Sequence, residues 1–493
     1  MTDTLKSLEA TWGPDVARGL RRLAEPPDWL VAIKDPERVG AALTSAIPEL
    51  RDGRVSLREC EALRVRLRDG SWSGQYRLVV EEDDEERTVK LLGVLRDADD
   101  APPEETMDKA FGSEGWSCYA PELRLELRVQ PPDAALVSLP ALTDPQEARV
   151  LLEKGMRSVS PAYESLTIEA CRPQIMRYKP DRRCTILYQI DYPLEDRRRG
   201  WPTPVVAKTH HGVKGRNAHE SMMALWDSPL RHSSTVTVAE PLGFLPEENV
   251  VLQGPIKEDV SLKDQLRLSL HAGTPEEMNR LRALLAKTAR GLSELHGSGV
   301  TSGKVVTFED ELAEVRGRVE RLERFVPEII GAADPLFDLL ESIARAHPAD
   351  PAVPSHRSFR PAQVLISGDD IGFIDFDSFC QAEPALDLSL FVSVLRDLSM
   401  RALQKRDGRP GPGEPARAEH LALVDDLSTA FLDAYEAATS VDVTRARVDL
   451  WHALEVWSRI VDCWIKDRPE RLPHCMQLLT HLYAREGLTE LVA

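Results

Sequence analysis

The sequence predicts an α+β fold built of successive lobes. Three observations carry that expectation. Two blocks, 60–96 and 165–209, read as runs of short strands separated by turns. A stretch with helical character sits between them at 144–156. After Val260 the chain becomes mainly helical.

Residues 1–50 open the chain with helical periodicity. Leu5, Leu8, Trp12, Val16, Leu20 and Leu23 recur at steps of three and four, interrupted by Pro14 and ended near Pro26–Pro27. Three strands follow, at Ala62–Leu67, Gln75–Val80 and Thr88–Val94. The turns between them fall at Asp69–Gly74 and in the acidic run Glu81–Glu86. A polar, proline-containing loop runs from Asp97 to Glu105, and a fourth strand from Glu122 to Val129 before a Pro-Pro turn.

The helix at 144–156 starts at Asp144. The second block then places strands at Ile175–Lys179, Thr185–Tyr192 and Pro204–Thr209, with the loop Arg197–Gly200 before the last. The two blocks resemble each other. One ends in TVKLLGVL and the other in VVAKTHHG, each after a strand holding a tyrosine, Tyr76 and Tyr188. That pattern suggests a duplicated half-module. Further on, Leu281–His296 and Glu309–Phe325 are amphipathic helices, 407–415 is a flexible loop, and Arg447–Lys466 is a helix. Its tryptophans, Trp451, Trp457 and Trp464, are six and seven residues apart and read as core rather than as a ligand cage.

The chain has 493 residues, which at roughly 150 residues per domain suggests about three units. Lys and Arg number 62 against 81 Asp and Glu, a formal charge of −19. That balance argues against nucleic acid and against an anionic membrane surface as partners. It suits cationic small molecules or basic peptides. The seven cysteines are scattered and never form CxxC, so they read as free thiols of a reducing cytoplasm rather than as a zinc site or a disulfide framework. The N-terminus has no basic and apolar leader pattern, and no window approaches 18 uninterrupted apolar residues. The expectation is a cytoplasmic protein without a membrane span.

Chemistry concentrates in Ser355–Leu388, SHRSFRPAQVLISGDDIGFIDFDSFCQAEPALDL. A loop at His356–Ala362 precedes a short strand, Gln363–Ser367, and a turn at Gly368–Asp370. A second strand, Ile371–Ile374, delivers Asp375 and Asp377. A hairpin with a carboxylate at its exit suits a hard divalent cation held against a phosphate, since Mg²⁺ takes one or two carboxylates together with phosphate oxygens. Gln363 offers an amide carbonyl on the same hairpin. Ser358 has no paired base and orienting acid visible in the sequence, so it does not read as a nucleophile. His356 reads as structural in its loop, as do His210, His211 and Cys380.

This stretch resembles the catalytic and metal-binding loops of the aminoglycoside phosphotransferase and choline kinase-like branch of the protein-kinase-like fold. His356 corresponds to that family's loop histidine, Gln363 to its metal-binding amide, Asp375 to its metal-binding aspartate, and Asp387 to the aspartate that braces the loop. Upstream, RYKPDRRCTILYQI resembles the first two strands of the small lobe, with Pro180–Arg183 as the turn over the phosphates. VVAKTHH places Lys208 as the strand-three lysine that contacts nucleotide phosphates, with Glu220 as its helix partner. Gln253 falls near the hinge, and LSELH resembles the family's Leu-His helix end.

The resemblance covers roughly 160–400. It implies a two-lobed protein-kinase-like fold with an extra N-terminal α/β cap-like domain: 1–154 as the cap, 155–255 as the small lobe and 256–493 as the helical large lobe. It implies ATP and Mg²⁺ as cofactors and a small-molecule hydroxyl as acceptor: a sugar, an aminosugar or a natural product. One departure stands out, because the family's catalytic aspartate falls on Ser358. A serine carries no charge and is a poor base. Asp377, or a group of the substrate, would then stand in for the base. Two functions follow. One is a phosphotransferase. The other is a pseudokinase that senses nucleotide or scaffolds a protein partner, with the N-terminal domain as its interaction surface.

Overall fold

The computed structural model describes residues 14–23, 27–68, 70–97, 100, 109–129, 136–179, 183–210, 212–406, 414–466, 468 and 471–485. Leu5, Leu8 and Trp12, most of the acidic loop after Asp97, the Pro-Pro turn, Pro180–Arg182, His211 and most of the loop 407–415 lie outside them. Among the described residues no helix is long and apolar enough to cross a membrane. All seven cysteines are free thiols, and six of them are buried.

The chain divides into two compact units. The first comprises 1–132, 312–341 and 456–487, the second 133–311, 342–455 and 488–493. In the first unit, α1 (Pro14–Leu23), α2 (Asp28–Ala32) and α3 (Pro36–Ala46) precede a sheet. Asp35 caps α3 by accepting from the amides of Glu37 and Arg38, with Pro36 at the first helical position. The sheet has β1 (Ser56–Arg68), β2 (Ser71–Glu82), β3 (Glu85–Leu95), β4 (Ser117–Ala120) and β5 (Leu125–Val129) in the order β1-β2-β3-β5-β4, all antiparallel. β2 alternates strictly, burying Trp72, Gly74, Tyr76, Leu78 and Val80. The strands outrun the expected ones because Asp83 and Asp84 alone form the second turn. Both have positive φ, 51° and 62°, as a two-residue hairpin of this kind requires. In this unit Trp72 packs edge to face against Trp29, Phe325 and Trp464, and Trp29 lies tilted against Phe325, with ring centroids 5.6–6.4 Å apart.

The second unit begins with α4 (Leu139–Thr143) and α5 (Pro145–Val159). Asp144 caps α5 through the amides of Gln146 and Glu147, both at 2.9 Å. The expected boundary at 154/155 therefore falls inside α5, whose buried Leu152, Gly155 and Met156 belong to the core of the following sheet. A helix with an apolar face needs a sheet to cover it, and the chain supplies that sheet downstream rather than upstream.

That sheet contains β6 (Ala170–Lys179), β7 (Arg183–Asp191) and β8 (Val205–Thr209). After a helix, α6 (Lys214–Trp226), and a two-residue strand, β9 (Thr237–Val238), come β10 (Pro241–Leu245) and β11 (Val250–Gln253). Its order is β6-β7-β8-β11-β10. The two sheets thus share one plan: a three-stranded meander whose third strand pairs with the last strand of the sheet. The match extends to side chains. Tyr76 at the centre of β2 donates to the carbonyl of Ile33, and Tyr188 at the centre of β7 to that of Leu142. Each acceptor lies two residues before the capping aspartate. The register also matches, and the residues on one rung differ informatively. Three residues from each tyrosine, Thr185 faces Lys208, whereas Ser73 faces Val94.

Beyond the sheet, β12 (Val260–Ser261) leads into helices α7 (Leu262–Ala272), α8 (Pro275–His296), α9 (Phe308–Glu323) and α10 (Ile329–Ala346). β13 (Val353–Ser355), β14 (Val364–Ser367), β15 (Asp370–Phe373) and β16 (Cys380–Ala382) follow, then α11 (Pro384–Arg406), α12 (Glu414–Ala438), α13 (Arg445–Ile465) and α14 (Leu472–Arg485). Trp451, Trp457 and Trp464 on α13 are all buried.

Candidate functional site

The hairpin β14–β15 turns at Gly368, whose φ of +57° suits a residue without Cβ. It ends at Asp375, which itself adopts φ +77°. A non-glycine residue in the left-handed region stores strain, and such residues cluster at functional sites. The turn directs Asp375 and Asp377 toward β8. Strand alternation buries Val205, Ala207 and Thr209 and leaves Lys208 on the other face.

Four charges meet there. Lys208 Nζ bonds both Asp375 and Asp377, the latter at 2.6 Å. Arg183 Nη1, at the start of β7, lies 3.2 Å from each carboxylate. All four side chains are less than one-fifth exposed. His210 Nδ1 adds a contact at 3.7 Å from Asp377. Burial would raise the Asp375 carboxyl. The charges of Lys208 and Arg183 override that and hold it far below the usual carboxylate range. Burial acts oppositely on a base and lowers His210 to about 4, so its ring is neutral at pH 7.

The loop before the hairpin closes the other side. Gln363 Nε2 donates to Asp375 Oδ2 at 3.3 Å and to Ser358 Oγ at 3.1 Å. Ser358 Oγ lies 3.2 Å from His356 Nδ1, and His356 Nε2 lies 3.0 Å from the Ile374 carbonyl. Asp387, fully buried at the start of α11, accepts from the backbone amide of His356 at 2.6 Å. It also bonds His296, which in turn meets Tyr435. Asp387 thus braces the loop.

The donor set fits a hard divalent cation. The Gln363 Oε1 atom is buried without a partner and stands on the same side chain that touches Asp375. With Asp375 it makes one carboxylate and one amide oxygen, the partial set that Mg²⁺ completes with phosphate oxygens and water. Among the described residues no group of three or more His, Cys, Asp or Glu side chains could hold a metal on protein ligands alone.

Most of the expected residues converge: Arg183, Lys208, His356, Ser358, Gln363, Asp375 and Asp377 form one connected network. Two do not. Glu220 is exposed on α6, and the partners of Lys208 are the aspartates instead. The expected lysine–glutamate pair is therefore replaced. Asp377 sits two residues past Asp375 and reaches the lysine first. Gln253 ends β11, paired with Val206, and adds no hydrogen bond to the network. Two roles were missed from sequence. His210 lies two residues beyond Lys208, just past the end of β8, and reaches the same carboxylate, Asp377. His356 stands two residues before Ser358 and sets its Nδ1 3.2 Å from the serine oxygen.

The phosphotransferase enzyme family matches residues 236–451. Solved structures similar to the chain include a glucosamine kinase, at 16% identity and a TM-score of 0.46 over 88% of this chain and 95% of that one. A choline/ethanolamine kinase family protein from Mesorhizobium loti is 12% identical, with a TM-score of 0.42 over 70% and 97%. A spectinomycin phosphotransferase in complex with ADP and spectinomycin is 12% identical, with a TM-score of 0.37 over 71% and 97%. No curated protein matches the chain.

Proposed function

Residues 236–451 belong to the phosphotransferase enzyme family, and from that premise we propose that the protein transfers the γ-phosphoryl group of ATP to a hydroxyl of a small molecule. The observation that carries the reading is the meeting of Lys208 and Arg183 with Asp375, Asp377 and Gln363. Phosphoryl transfer needs positioning and charge stabilisation more than covalent chemistry. Lys208 and Arg183 are the cations that would clamp the phosphates. Asp375 and Gln363 would hold Mg²⁺, which when bound neutralises charge on the phosphate oxygens. By the resemblance, Ser358 stands for the family's carboxylate, and its half-buried side chain would meet the acceptor. Sugars, aminosugars and natural-product hydroxyls are the acceptor classes, and the charge of −19 favours a cationic one. The cytoplasm, where ATP and reduced thiols are found, is the proposed location.

A second reading is favoured by Ser358 itself: a nucleotide-sensing module that does not catalyse transfer. Calorimetric titration with ATP in the presence and absence of Mg²⁺ tests the first reading at its base. Magnesium-dependent binding supports it. No binding at millimolar ATP overturns it.

A further inference from the structure

Among the described residues, the hydrogen bonds of Ser358 Oγ leave its own hydrogen one partner, His356 Nδ1. We propose that Ser358 and His356 form a proton relay that takes the place of the missing carboxylate, an inference that rests on the phosphotransferase reading above.

The direction of each bond follows from donor chemistry. A carbonyl only accepts, so the 3.0 Å contact between His356 Nε2 and the Ile374 oxygen places a hydrogen on Nε2. In the neutral ring, Nδ1 is then an acceptor. A carboxylate also only accepts, so the contact of Gln363 Nε2 with Asp375 Oδ2 sets the orientation of the amide. That amide nitrogen therefore donates to Ser358 Oγ. Ser358 receives one hydrogen bond from Gln363 and gives its own hydrogen to His356 Nδ1, 3.2 Å away. One lone pair of the serine oxygen remains.

Burial says who can use that lone pair. His356 is fully buried, against Phe359 and Phe376 at ring-centroid distances of 5.6 and 4.7 Å. Ser358 is half-buried. An acceptor molecule can meet the serine oxygen and not the imidazole. Ser358 is the catalytic residue of this pair, and His356 acts through it.

The acceptor oxygen forms its bond to the γ-phosphorus while the bond from that phosphorus to the bridging β-oxygen breaks, its electron pair leaving with ADP. The acceptor proton passes to Ser358 Oγ as the serine's own proton passes to His356 Nδ1. The imidazolium keeps its Nε2 hydrogen on the Ile374 carbonyl. The serine ends as a neutral hydroxyl, no covalent enzyme intermediate forms, and the proton returns to solvent through Ser358 after product release.

The test uses the full chain and water as acceptor, so the readout is MgATP hydrolysis, with nucleotide affinity measured separately by calorimetry. His356→Asn keeps a hydrogen-bonding atom near the position of Nδ1 but cannot take the proton. It is expected to lower the hydrolysis rate by about 100-fold, in the range of general-base catalysis, with the dissociation constant of MgATP unchanged. Ser358→Asp supplies the carboxylate directly and is expected to raise the rate by about 10-fold or more. The double variant decides the matter. With Asp at 358 the relay is bypassed, so adding His356→Asn costs less than about threefold, well outside additivity. A merely structural His356 would cost the same in both backgrounds, and that result overturns the relay. MgATP binding without hydrolysis above the uncatalysed background also overturns the relay while leaving nucleotide binding intact. Absence of MgATP binding strikes the phosphotransferase reading itself.

Discussion

Replacing Lys208 by methionine is expected to move two affinities in opposite directions. In the nucleotide-free protein, Lys208 Nζ bonds both Asp375 and Asp377 in a site whose side chains are largely shielded from water. A divalent cation entering at Asp375 must displace at least one of these charge-assisted bonds. Each is worth about 1.5–3 kcal/mol, so removing the lysine should tighten metal binding without nucleotide by about 10- to 150-fold. Arg183 stays 3.2 Å from both carboxylates and keeps the site from becoming a bare pair of anions. Nucleotide affinity should fall at the same time, because the phosphates lose one of their two cations. Mn²⁺ titration of nucleotide-free protein by calorimetry, followed by ATP titration, measures both. Glu220→Gln is the control and should change neither by more than about twofold, as for an ordinary surface substitution. Unchanged or weaker metal binding in Lys208→Met would refute the competition between lysine and metal.

Two further outcomes are expected. His210 is held neutral down to about pH 4 by burial, whereas an unfolded histidine protonates near its ordinary 6.5. Between those values the unfolded state binds the extra proton, so stability falls as pH drops through this window. Denaturant unfolding should show the wild type losing about 3 kcal/mol more than His210→Gln between pH 7 and pH 4. Tyr76→Phe and Tyr188→Phe each leave a buried carbonyl, of Ile33 or Leu142, without its donor. Each should cost about 1–3 kcal/mol in urea unfolding, and a neutral result would show that water replaces the hydroxyl.

Local signals carried much of the fold. The helix start at Asp144 was legible because an aspartate followed by proline satisfies the first amides of a helix. The meander strands were legible from alternation, but their ends were not, since Asp83 and Asp84 adopt a backbone conformation that residue type permits without announcing. The boundary expected at 154/155 falls inside α5 for a non-local reason: only the later sheet reveals what covers the apolar face of that helix. The site followed the same division. Gln363, Asp375 and Asp377 stand on one hairpin and could be named from the segment itself. Lys208 and Arg183 reach them across more than 160 residues of chain, and came into view only through the family resemblance. That resemblance also misled at Glu220, because nothing in a short stretch of sequence shows that Asp377 claims the lysine first.

The shared plan of the two sheets has a consequence for how the chain tolerates change. The bonds that hold each framework are internal to it: a capped helix, a central tyrosine and the carbonyl it ties down. The second adds Lys208, a cation of the site, on the rung opposite Thr185, and the first has Val94 on that rung. The molecule therefore carries its own blank. Damage that appears equally at the paired framework positions reports on architecture, and damage confined to the second sheet reports on chemistry.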